Sequence, residues 1–312
     1  MSKKTIRFGL IGAGSIAIYR HAPELYAHPS AEIVAICDIR EDRAEALAEE
    51  YGVDAVYTDH KDVLKLKNVD AVVVATPNKY HAPITIAAMK AGKDVLCEKP
   101  MATSLDEARE MIATSKKTGR KLMIGHNQRL MALHQKAKQI LDSGILGRIL
   151  TFRTAFGHPG PEMWSQDKGP HTWFFKKEEA FIGSMGDLGV HKTDLIRWLI
   201  GEEIAEVGAF VETLDKTNEK GERITVDDNA VAVLKTESGA VGQLAASWTY
   251  KTGEDNATRL YCENGMMILG EDPTYQVEVR LTNGETALYQ VGAMATNEAQ
   301  VESGIPRMFV DA

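Results

Sequence analysis

An apolar run, Ile6–Ile11, breaks at Gly12-Ala13-Gly14-Ser15-Ile16-Ala17 and passes directly into a helical pattern, Ile16–Tyr26. A strand that turns into a helix over so few residues needs backbone freedom, and glycine supplies it. In this setting G-x-G-x-x-A puts a helix N-terminus, with its free amides and positive dipole end, at the end of the first strand. That arrangement suits a pyrophosphate: Gly12 permits the turn, Gly14 admits close approach, and Ser15 and Ile16 open the helix. Further apolar runs at Glu32–Cys37, Ala71–Ala75, Asp94–Cys97 and Leu122–Gly125 alternate with helical patterns at Arg40–Tyr51, His81–Ala91 and Ser104–Thr118. Nearly continuous apolarity marks strands covered on both faces. The alternation predicts a doubly wound parallel α/β sheet of Rossmann type, with ligands at one edge.

A chain of 312 residues exceeds one comfortable core, so two domains are expected, 1–125 and 126–312. In the second, helices are expected at Met131–Ser143 and Ser184–Ile200, a strand at Ile149–Phe156, and a Pro/Gly-rich aromatic loop at 157–173. Then come β-like runs: Ile204–Leu214, Asn229–Thr236, Ala240–Trp248, Thr258–Cys262, Tyr275–Leu281 and Glu285–Val291. Several alternate with period two, and Glu237-Ser238-Gly239 and Asn283-Gly284 are turn signals, so an α+β domain on a large, mostly antiparallel sheet is expected. The net charge of −8 opposes nucleic-acid binding. Cys37, Cys97 and Cys262 form no disulfide framework and no C-x-x-C, which fits a reducing, cytoplasmic setting. Lys3, Lys4 and Arg7 before Phe8–Ile18 resemble a short leader, but Gly12, Gly14 and Ser15 interrupt the run and suit a strand and turn better. No stretch reaches the roughly 18–20 apolar residues of a membrane span.

Three constellations carry chemistry. Asp38 ends the second strand; a carboxylate there accepts hydrogen bonds from ribose hydroxyls and repels a 2′-phosphate, which favours NAD. Arg40 keeps NADP open, by stacking on adenine or pairing with a 2′-phosphate. Thr76-Pro77-Asn78, with His81, follows the strand at Ala71–Ala75, and Glu98-Lys99-Pro100 follows Asp94–Cys97; both lie at the cofactor edge. A cation at Lys99 can polarise a substrate hydroxyl. In Gly183–Asp194, Asp187, His191 and Asp194 fall on one helical stripe, beside an apolar stripe of Leu188, Leu195, Ile196 and Leu199. Histidine suits a general base, while Ser184-x-x-Asp187 also reads as a capping pair. No third ligand joins Asp187 and His191 at a recognisable spacing, so no metal is expected.

Taken in order, G-x-G-x-x-A at 12–17, T-P-N-x-x-H at 76–81, E-K-P at 98–100 and D-x-G-x-H at 187–191 give a chain that resembles the glucose–fructose oxidoreductase / inositol dehydrogenase (Gfo/Idh/MocA) family over nearly its whole length. The resemblance implies a Rossmann domain, a second domain whose open sheet often makes a dimer or tetramer interface, and hydride transfer between NAD(P) and a hydroxyl of a sugar, cyclitol or related polyol. It makes Lys99, Asp187 and His191 the catalytic set, and places Asn127 and Arg129 near the substrate. Trp164, in the aromatic loop with His158, His171 and Trp173, is a candidate sugar-stacking residue; packing beneath the loop is the other reading. Two departures stand out. Phe181-Ile182-Gly183 replaces the family's triple glycine, which predicts a stiffer loop and a narrower pocket. The chain also stops soon after Ile305–Val310, which reads as the start of a helix that family members carry further. Two rival activities remain: an NAD-dependent glycosidase of the same family, and a non-catalytic NAD-binding regulator.

Overall fold

The computed structural model describes residues 5–292 and 302–312; Lys3 and Lys4 of the basic prefix lie outside them. Six parallel strands form the first sheet: β1 (Ile6–Ile11), β2 (Ala31–Cys37), β3 (Val56–Tyr57), β4 (Ala71–Val74), β5 (Asp94–Cys97) and β6 (Leu122–Ile124). Their order is β3-β2-β1-β4-β5-β6, the doubly wound arrangement whose direction of winding reverses beside β1. Helices α1 (Ala22–Tyr26), α2 (Glu41–Tyr51), α3 (His60–Lys65), α4 (His81–Lys90) and α5 (Leu105–Thr118) cover it. Every residue of β4 is buried, as its unbroken Ala-Val-Val-Val run requires. At the start of α5, Ser104 Oγ accepts from the Glu107 amide (3.2 Å), and Glu107 reaches back to the Thr103 amide (3.0 Å). This reciprocal satisfaction of orphan amides fixes where the helix begins.

The second sheet has eight strands: β7 (Ile149–Gly157), β8 (Ile204–Glu212), β9 (Asn229–Thr236), β10 (Val241–Ser247), β11 (Thr258–Cys262), β12 (Gly265–Leu269), β13 (Val277–Leu281) and β14 (Thr286–Tyr289). Their order is β14-β13-β12-β11-β7-β10-β9-β8. Pairing is antiparallel except between β7 and β10. One face packs on α6 (Ala132–Asp142) and α8 (Val190–Ile200), with a short α7 (Lys177–Ala180) nearby. The predicted apolar stripe does bury: Leu188, Leu195, Ile196 and Leu199 join Phe152, Leu244, Ala246 and Trp248 in one core. The other face stays open. In β9 burial alternates residue by residue, leaving Val231 and Val233 exposed, and Phe210 on β8 is 79% exposed.

Two of the expected helices open differently. Ile16–Tyr26 begins as a π-helical turn, Ala17–His21, before α1. Ser184–Ile200 likewise begins as a π-helical turn, Met185–Gly189, before α8. Strands β3 and β12 and helix α3 go beyond the sequence reading. The helix at Ile305–Asp311 (α9), assigned by sequence to the second domain, packs on the first. Ile305, Phe309 and Val310 share a core with Phe8, Leu10 and Leu25, and Phe309 meets the Phe8 ring edge-on at 6.0 Å. Glu24 accepts from the Ser303 and Gly304 amides at 2.7 and 3.1 Å, fixing the entry to α9.

Candidate active site

The carboxyl ends of β1, β2, β4 and β5 open onto a cleft of about 630 Å³, closed on its far side by β7, the 157–173 loop and the π turn before α8. At the β1 turn, Gly12 has φ +101°, and a Cβ there would lie 2.4 Å from Ala75 O, so the position admits only glycine. At Gly14 nothing lies within 4 Å of where a Cβ would sit: its open side faces the cleft. Asp38 accepts from the Ala13 amide (2.7 Å) and the Arg40 amide (2.9 Å), which fixes its carboxylate at the rim. A bare glycine turn beside a helix start, with a fixed carboxylate one strand away, fits a dinucleotide. Ile16, Thr76, Pro77 and Asn78 also line the cleft. Asn78 donates to Ala180 O (2.9 Å) and so ties β4 to the segment before α8.

Three further sequence candidates for the cofactor, His81, Glu98 and Arg40, also line the cleft, and each has protein partners of its own. His81 is buried, with its ring nitrogens 2.7 Å from Pro100 O and 2.8 Å from Thr76 O. It pins two strand ends together, and burial lowers its pKa. Glu98 is buried, its carboxylate 3.0 Å from Arg20 Nη1 and 2.8 Å from His21 Nε2, while its other oxygen accepts from the Lys99 amide (3.2 Å). Burial alone would raise its pKa. The charges of Arg20, His21 and Lys99 override that and hold it well below the usual carboxylate range. The π turn places Arg20 and His21, adjacent in sequence, on this one carboxylate. Glu98 is therefore a foundation under Lys99. Arg40 is bound by Asp42, Nε at 3.0 Å and Nη2 at 2.8 Å, so its guanidinium is occupied.

Lys99, Asp187 and His191 all line the cleft. The Lys99–Pro100 peptide is cis. Lys99 Nζ donates to Asp187 Oδ1 (2.9 Å) and to Asp187 O (3.1 Å); Trp248 Nε1 donates to Asp187 Oδ2 (3.2 Å). Asp187 thus holds Lys99. No hydrogen bond joins it to His191 among the described residues. His191 is buried, its Nδ1 without a hydrogen-bond partner among the described residues. Burial first, then the nearby Lys99 charge, push its pKa well below the ordinary value, so the ring is neutral at pH 7. His158 also lines the cleft; its Nδ1 accepts from the Gly160 amide (3.0 Å), which assigns the ring proton to Nε2. The aromatic loop does face this cleft: Trp164, Trp173 and Phe174 line it, the last two stacked at 3.8 Å.

Other expectations separate. The third residue of the stripe, Asp194, turns away and pairs bidentately with Arg129 at 2.6 and 2.7 Å. Arg129 is thereby spoken for, and neither it nor the buried Asn127 lines the cleft. Asp194 lies three residues on from His191 within α8, about 60° around the helix axis, and there it meets Arg129 instead of the cleft. Ser184 does not cap with Asp187. Asp227, which the sequence reading missed, accepts from the Gly183 and Met185 amides (2.8 Å each) and from Ser184 Oγ (2.9 Å). A Cβ on Gly183 would sit 1.8 Å from Asp227 O. Where the family's triple glycine begins, Phe181 carries φ +67°. The other missed signal is Arg43, whose guanidinium reaches across to Asp167 of the aromatic loop.

Residues 6–126 match a model described as an oxidoreductase family with an NAD-binding Rossmann fold, and residues 134–268 match the Gfo/Idh/MocA C-terminal domain. The chain belongs to the Gfo/Idh/MocA family. As a member it is an oxidoreductase that takes NAD. Among Gfo/Idh/MocA relatives, myo-inositol 2-dehydrogenase of Thermotoga maritima is 32% identical over 260 residues, covering 83% of this chain and 74% of that protein. The solved structure of a levoglucosan dehydrogenase in complex with NADH is 25% identical with a TM-score of 0.81, covering 93% of this chain and 81% of the other. A 3-ketoreductase from Actinomadura kijaniata, in complex with NADP and TDP-benzene, is also 25% identical with a TM-score of 0.81, covering 99% and 90%. No helix of the described residues is long and apolar enough to cross a membrane.

Proposed function

We propose that this protein oxidises a secondary hydroxyl of a sugar, cyclitol or related polyol with NAD, or reduces the matching carbonyl. The observation that carries this is the placing of Lys99, anchored on Asp187, in one cleft with His191. When bound, NAD takes up or returns the hydride. An ammonium has three donors; Asp187 takes two from Lys99, leaving one for the substrate oxygen. That hydrogen bond positions the hydroxyl and stabilises the negative charge that develops on it. His191, neutral and desolvated, accepts the hydroxyl proton. Trp248 fixes Asp187 and, through it, Lys99. Trp164 and Trp173 offer apolar faces to a sugar ring.

On this reading, Gly12, Gly14, Ser15, Ile16, Asp38, Thr76, Pro77 and Asn78 seat the cofactor. The domains divide near residue 125, with α9 returning to the first. The protein works in the cytoplasm, as its three buried free thiols suggest, and forms a dimer or tetramer. The open face of the second sheet supports self-association, since it exposes Phe210, Val231 and Val233 together.

The test is a panel of aldoses, inositols, sugar acids and polyols with NAD, followed by near-ultraviolet absorbance of the reduced nicotinamide. Net NADH formation with one class is expected. Sugar release from aryl glycosides without net NADH would replace this reading with the glycosidase. Tight NADH binding without any turnover would replace it with the regulator.

A further inference from the structure

The ribose end of the cleft holds an arrangement that neither the fingerprint nor the catalytic set explains. Two arginines flank Asp38, on α2 and just before it. Either would pair with a 2′-phosphate, because a guanidinium matches phosphate oxygens bidentately. Both are already taken. Arg40, just before α2, pairs with Asp42 of its first turn at the surface. Arg43 is clasped by Asp167, 124 residues away on the aromatic loop of the second sheet's domain: Nη2 to Oδ1 is 2.5 Å and Nη1 to Oδ2 is 3.3 Å. Arg43 and Asp167 both line the cleft and are both largely shielded from solvent, with side chains 21% and 32% exposed.

The loop that delivers Asp167 is itself held in place. The Gln166 amide donates to Ser15 Oγ of the fingerprint (3.1 Å), and Ser165 Oγ donates to Asp167 O (2.9 Å). At the loop's other side, Glu162 pairs with Lys216. Asp167 is thus set against Arg43 by contacts on both domains. The consequence for the cofactor is chemical. With Asp167 in place, a 2′-phosphate would meet the Asp38 carboxylate and find Arg43 already neutralised. A 2′-hydroxyl would meet only a hydrogen-bond acceptor.

We propose that Asp167, a residue of the second domain, is a determinant of cofactor choice: by occupying Arg43 it withholds the cation that a 2′-phosphate needs, and so favours NAD over NADP. This rests on the reading of the cleft as the dinucleotide seat and assigns one of its specificities. Asp38 remains the primary discriminator, so removing Asp167 narrows the preference without reversing it.

The test is equilibrium binding of NADH and NADPH, each followed by nicotinamide fluorescence, to the full chain and to two variants. The wild type is expected to prefer NADH. In Asp167→Asn the Kd ratio of NADPH to NADH falls about tenfold, mostly through tighter NADPH, as one charge-assisted contact would give. In Asp167→Asn/Arg43→Ala the gain disappears. A ratio in Asp167→Asn within twofold of the wild type, with NADH still bound, overturns the proposal. So does a gain that survives in the double variant, because Arg43 would then not be its source, and so does a wild type that prefers NADPH. A wild type that binds neither dinucleotide refutes the underlying cleft assignment instead, a result the other outcomes cannot mimic.

Discussion

Replacing Glu98 by glutamine keeps its shape and removes its charge. The carboxylate is 3.0 Å from Arg20 and 2.8 Å from His21, and all three side chains are buried. The amide can still accept one hydrogen bond, but the buried Arg20 guanidinium no longer faces the Glu98 carboxylate. Breaking a buried pair from one side costs about 3–5 kcal/mol. At roughly 2–4 °C per kcal/mol for a chain of this class, the melting temperature should fall by ~6–20 °C. Circular dichroism melts would read this directly. The double variant Glu98→Gln/Arg20→Met removes both charges of the pair and should recover part of the loss, so the two changes are not additive. Activity should fall as well, because the Lys99 amide rests on the same carboxylate. A melting temperature for Glu98→Gln within about 2 °C of the wild type would refute the reasoning.

Lys99→Met removes the hydrogen bond proposed for the substrate oxygen; kcat should drop by about 10²–10³, while NADH fluorescence titration shows unchanged cofactor binding. Near-normal turnover would exclude the role. Acid should destabilise the fold at an unusually high pH. His126, His134, His158 and His191 all have pKa values lowered chiefly by burial, His134 to about 3. They are neutral when folded but protonate near 6.5 when unfolded, so stability falls as pH drops below 6.5, each contributing about 1.4 kcal/mol per pH unit until its folded pKa is reached. Melting temperatures that stay flat between pH 7 and pH 5 would contradict this. Gly183→Ala places a methyl group 1.8 Å from Asp227 O, so the segment before α8 must shift; a loss of about 3 kcal/mol or more is expected in chemical denaturation, and a neutral result would reject the packing.

The strand ends were legible because their chemistry is local. The runs at Ile6–Ile11, Asp94–Cys97, Asn229–Thr236 and Thr258–Cys262 coincide with strands β1, β5, β9 and β11 to the residue. Val56–Tyr57 escapes because two residues show no period. Gly265–Leu269 escapes because its methionines carry little β signal and glycines bound it on both sides. Within the site, residues that act through sequence neighbours were visible, and residues that act across the fold were not. Asp227 accepts from amides 42 and 44 residues upstream, Asp167 answers an arginine in the other domain, and Glu98 gains its role only when Arg20 and His21 fold onto it. Side-chain type alone could not tell a carboxylate that meets a ligand from one that meets a buried cation.

The return of α9 to the first domain has a mechanical meaning. The chain leaves that domain after β6 and is bound to it again at Ser303 and Gly304 through Glu24. The chain therefore crosses between the two cores twice. Two buried or half-buried ion pairs, Lys99–Asp187 and Arg43–Asp167, also bridge them along the same cleft. Drawing the cores apart would break both pairs, so the two ends of the cleft share one set of cross-links.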